Sequence, residues 1–171
     1  MKSIKLYNVI FPIWLLMFFP PVILLTLAGN FIIDSLVVAG CYYAFKLAQV
    51  QDSLKQFYRS SIIRVWLFGF LADFAGAVIL FALGTIGDFW GMPYDIYTAI
   101  SYDPFGHPVA VVVIVFAMLV SGALIFVFNN KVVFSKLIEE KGTRLKVALA
   151  IAIVTMPWTF LLPTKWFYRG F

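Results

Sequence analysis

Charge is what this chain has least of. Only 12% of its 171 residues are Asp, Glu, Lys or Arg, about half the share of a soluble domain. Too few polar side chains remain to coat a water-exposed globule, which excludes an ordinary soluble enzyme or binding module. Cysteine is nearly absent as well. Cys41 stands alone, so there is no intrachain disulfide and no cysteine cluster to hold a metal. Histidine occurs once, at His107. A Ser-His-Asp set is therefore not legible, and HExxH, GxSxG and P-loop patterns are missing from the sequence. No cofactor is expected.

What remains is oil. Hydrophobic residues make up 63% of the chain and aromatics 19%, which points to an all-α integral membrane bundle forming one transmembrane domain over residues 1–171. The net charge of +5 does not gather into an aromatic-flanked basic patch. It falls in short segments between apolar runs, so the expected partner is the lipid bilayer and not nucleic acid.

The apolar runs predict about five spans: roughly 9–28, 31–48, 62–83, 109–128 and 147–162, the last kinked near Pro157. The run from Ile10 to Ala48 is too long for one straight crossing, and Gly29-Asn30 offers a stop followed by a cap. In this reading Pro20-Pro21 breaks the first span in its middle. The alternative has four spans. It starts one long helix at Pro20-Pro21 and lays residues 1–19 along the membrane surface as an interfacial helix.

Basic residues mark one side of the membrane. Lys46, Lys55, Arg59 and Arg64 flank one connection, and Lys131, Lys136, Lys141, Arg144 and Lys146 another. The segment from Asp88 to His107 holds three Asp and no Lys or Arg. The positive-inside rule then puts the first two in the cytoplasm and the third outside. In the five-span reading the N-terminus lies inside, with Lys2 and Lys5, and Lys165 and Arg169 fall on the wrong side. A plasma membrane of bacterial type is the expected location.

Two acids lie within the apolar runs, in "GNFIIDSLVV" and "GFLADFAGAVILF". A carboxylate in hydrocarbon costs a few kcal/mol at least, and such residues default to function. With five spans, Asp34 sits one turn into a helix, below Asn30 and about 6 Å from the outer surface, where a helix N-terminus favours negative charge. Asp73 falls in mid-span on a face with Gly69 and Gly76, whose small size admits a neighbouring helix. The two acids are offset by about 9 Å in depth, as successive stations would be. Asp73, Asp34 and Asn30 are thus the candidate ion or substrate ligands, and Gly69 and Gly76 the candidate packing positions. Asp103 and His107, four residues apart, are the weaker candidates for a metal.

Three functions fit these residues. The leading one is a proton- or cation-coupled transporter or channel-type protein, working as a homo-oligomer or with a partner membrane subunit. The others are a non-transporting subunit or assembly factor of a membrane complex, and a membrane-embedded aspartyl hydrolase. "NFIIDS" departs from the Asn-x-x-Asp-Ser stretch of lipoprotein signal peptidases, because its Asn precedes the Asp by four positions and no second motif follows.

Overall fold

The computed structural model describes residues 12–49, 53–87, 89 and 91–167, and every regular element among them is helical. In chain order these are α1 (Ile13–Leu16), α2 (Val22–Ala44), α3 (Leu54–Thr85), α4 (Tyr94–Tyr102), α5 (Pro108–Phe128) and α6 (Lys141–Thr155). Four stretches are long and apolar enough to cross a bilayer: Val22–Ala44, Leu54–Gly84, Pro108–Val133 and Lys141–Leu161. The chain is a helical membrane bundle.

Among the described residues the candidate spans number four, not five. α2 runs through Gly29 and Asn30 without a turn. A turn there, inside hydrocarbon, would leave backbone N–H and C=O groups without partners at several kcal/mol each, so the helix continues. Its start is set by Pro20-Pro21, which supply no N–H. Its end is set by Lys46, which takes a positive φ of 52° just beyond it.

Residues 12–19, which the four-span alternative lays along the membrane surface, pack against the bundle. Phe18 packs on Phe70 and Phe74, with ring centroids 5.6 and 5.4 Å away. Trp14 is 1% exposed, too buried for a membrane-surface belt, and its indole donates to the Ile100 carbonyl at 3.2 Å. Residues 1–11, including Lys2 and Lys5, lie outside the described residues.

α3 is the axis of the bundle. Ser53 caps it, its hydroxyl accepting from the Gln56 N–H at 3.2 Å. Its 32 residues make a rod about 48 Å long, longer than the hydrocarbon is thick. Exposed Lys55, Arg59 and Arg64 occupy its first part. The stretch Val65–Gly84 carries one charge, Asp73, and at about 30 Å matches the hydrocarbon.

Contacts set the register along this rod. Tyr42 of α2 meets Phe57 at 5.8 Å, Phe31 meets Trp66 at 5.9 Å, and the Trp66 indole donates to the Leu27 carbonyl at 2.9 Å. α2 therefore flanks the lower part of α3, and residues 12–19 flank the upper part. On the other side α5 stacks Phe128 on Phe68 at 4.9 Å. It also closes on Gly76, where a Cβ would overlap Ser121 Oγ and lie 3.1 Å from the Ala117 carbonyl.

This antiparallel order brings the basic connections to one end. There Arg144 Nε donates to Asn130 Oδ1 at 3.3 Å, and its Nη1 to the carbonyls of Ser135 at 3.4 Å and Ile138 at 3.1 Å. At the opposite end lies α4 with Asp95 and Asp103. Lys165, which charge counting puts on the wrong side, forms an ion pair with Asp103. Two apolar clusters fill the bundle: Val38, Phe57, Val65, Phe134 and Ile151 toward the basic end, and Trp14, Leu80, Ile100, Ile114 and Phe160 toward the other.

Candidate functional site

Asp73 lies where the two clusters meet, between Ala72 of one and Ala77 of the other. It is nine residues from Arg64, about 13 Å along the axis, which is mid-depth in the uncharged stretch. The Asp34 carboxylate reaches the same region. Its Oδ2 is 3.7 Å from where a Cβ on Gly69 would stand, which sets it against α3 one turn below Asp73.

This corrects the depth expected for Asp34. α2 begins at Val22, twelve residues earlier, so Asp34 is about 18 Å from the helix start. No helix N-terminus stands beside it. The outer-surface position followed from the assumed turn at Gly29-Asn30, and without that turn the two acids share one place.

Asp34, Asp73, Asn30 and Gly69 line one cavity of about 130 Å³, roomy enough for a small ion or a few waters. Asp34 is 4% exposed and Asp73 7%. The Asp73 Oδ1 atom is buried and has no hydrogen-bond partner among the described residues. No Lys, Arg or His lines the cavity.

The third wall is the end of α6, which sequence reasoning missed apart from a kink near Pro157. Val154, Thr155 and Met156 line the cavity, followed by Pro157, Trp158 and Thr159. Pro157 lacks the N–H that would reach the Ile153 carbonyl, and the Trp158 indole fills that place at 3.1 Å. α6 thus stops at Thr155, about 12 Å beyond Val147, where its uncharged part begins. A helix C-terminus carries partial negative charge.

Met17 completes the wall, its sulfur accepting from the Thr159 hydroxyl at 3.5 Å. The discontinuity at Pro157 therefore lies beside the cavity. Irregular backbone at membrane depth occurs where it lines a cavity or is buried in protein. The arrangement brings two carboxyl groups to one cavity with no Lys, Arg or His among the described residues that line it, a setting that can hold a proton or a cation.

The remaining sequence candidates lie elsewhere. Gly76 faces α5. Asp103 is taken up by Lys165. His107 caps α5, its Nδ1 accepting from the Val109 N–H at 3.2 Å, while its Nε2 lies 3.7 Å from Asp95. Asp103 and His107 are thus engaged in separate pairs, and no group of three or more His, Cys, Asp or Glu among the described residues could hold a metal. Comparison with known proteins returns no matching family model, no similar curated protein and no similar solved structure.

Proposed function

We propose that this membrane protein handles a proton or small cation, as a transporter or channel-type protein of the plasma membrane, with Asp34 and Asp73 as the binding pair and Asn30 as a neutral ligand. The observation that carries this reading is the convergence of both carboxylates on one cavity beside the break at Pro157. Two carboxylates facing each other in low dielectric repel, and a positive charge between them relieves that repulsion. Discontinuous helices whose carbonyl ends meet a cation site are a recurring design in transport proteins. The basic end faces the cytoplasm in this proposal, and a homo-oligomer or a partner membrane subunit completes the pathway.

The hydrolase reading draws on the same convergence, since paired Asp residues can activate water. The polarity of the α6 terminus argues against it. Hydrolysis builds an oxyanion that needs N–H donors, and this wall offers the carbonyl end of a helix.

Reconstitution into vesicles with pH and cation flux followed on both sides tests the proposal. Asp73→Asn keeps the size of the side chain, and the variant is expected to fold and lose flux. Flux at the wild-type level in folded Asp73→Asn would overturn the reading. For orientation, cysteines placed at positions 55, 95 and 136 in a Cys41→Ala background are expected to label from outside only at 95.

A further inference from the structure

Resting on the cation-handling reading, the lining chemistry narrows the cation. We infer that the cavity takes a small alkylammonium ion, its N–H end on Asp73 and Asp34 and its carbon end against Met17, Met156 and Trp158. The polar lining of the cavity is the two carboxylates, Asn30 and the hydroxyls of Thr155 and Thr159.

The other walls are apolar, and they would strip water from an inorganic ion while giving no ligand in return. The same walls favour an ion that carries its own hydrocarbon. Methylene groups gain from burial against them. Met sulfur and the indole ring are polarisable partners for a cation. The Trp158 N–H is tied to Ile153, which fixes the ring at the wall. At the polar end, Asp73 and Asp34 both line the cavity and supply carboxylate acceptors for an N–H donor.

The test is calorimetric titration of the whole protein in nanodiscs with propylammonium, methylammonium and sodium, after subtraction of empty nanodiscs. Propylammonium is expected to bind about tenfold tighter than methylammonium, because it buries two more methylenes. Asp73→Asn is expected to weaken it by at least about tenfold, the loss expected of a charged partner. Trp158→Leu leaves both carboxylates in place and is expected to weaken it about fivefold. Thermal melting of each variant separates lost binding from lost fold.

If sodium binds and displaces both amines, and chain length has no effect, the alkylammonium inference falls while the cation-handling proposal stands. Binding of propylammonium that is indifferent to both Asp73→Asn and Trp158→Leu also overturns the inference, since the ion then sits outside this cavity. If no cation binds and no flux is seen, both fall.

Discussion

Between the basic end and mid-depth, four helices run side by side and satisfy their own backbones. α2, α3, α5 and α6 meet there through ring stacks such as Phe57 on Phe134, with centroids 5.7 Å apart. Beyond mid-depth only α3 and α5 continue as helices. The other two chain segments go on as the short α1 and as 3-10 turns at Trp158–Leu161 and Thr164–Trp166. Short turn bonds satisfy part of those backbones, and side chains add bonds between segments distant in sequence. The Thr164 hydroxyl accepts from the Ile13 N–H at 3.0 Å and donates to the Ser101 carbonyl at 2.9 Å, while the Ser101 hydroxyl donates to the Gly84 carbonyl at 2.7 Å.

The difference shows how a cavity is made in a bundle this small. α6 stops short, and the space beside its end is lined by both carboxylates. A half built of continuous helices holds its shape through many short-range bonds. A half built of turns depends on a few bonds between residues far apart in sequence.

The largest expected effect tests what the halves share. Gly76→Leu drives a side chain into Ser121 and the Ala117 carbonyl, and a backbone carbonyl cannot step aside. A cost of about 3 kcal/mol or more should abolish the monodisperse peak in detergent. A normal peak would mean that the α3–α5 seam does not hold the halves together. Next comes Arg144→Ala at the basic end, which removes three hydrogen bonds from a charged donor. A loss of about 2 kcal/mol should appear as a lower melting temperature with cation binding retained.

Pro157→Ala makes the upper half more like the lower one, because it restores the missing N–H and lets α6 extend. Stability should be unchanged or rise by up to about 1 kcal/mol, while cation binding weakens about tenfold as the helix end moves away from the carboxylates. Unchanged binding would separate the site from the break. Lys165→Ala is the mildest, since its pair with Asp103 is partly exposed. It should cost less than about 1 kcal/mol and raise hydrogen exchange in residues 158–167 alone. Faster exchange at the basic end as well would contradict the separation of the halves.

How much of this was legible in the sequence follows from the same contrast. Membrane class and the helical apolar runs were readable, because hydrocarbon leaves few options for a backbone. The acids stood out because charge is rare in oil. Their meeting was not readable, since it depended on whether the chain turned at Gly29-Asn30, and local turn chemistry pointed one way while the cost of an open backbone in lipid pointed the other. Met17 and Thr159 carried no signal of their own. Only Pro157 hinted at a third wall, and a proline in a span tells of a kink without telling what faces it.

The bond from Ile13 to the Thr164 hydroxyl joins residues 151 positions apart, and this has a consequence for biosynthesis. The ribosome completes Ile13 long before Thr164, and insertion proceeds helix by helix in between. During that interval α1 has neither Thr164 to accept its N–H nor Lys165 to hold Asp103 of the loop beyond α4. The nascent chain is thus a bundle closed at the basic end and open at the other until Thr164 and Lys165 are added. A chain stalled or cut before Thr164 would present that open end to membrane proteases, and cells would clear it by the same feature that completes the finished protein.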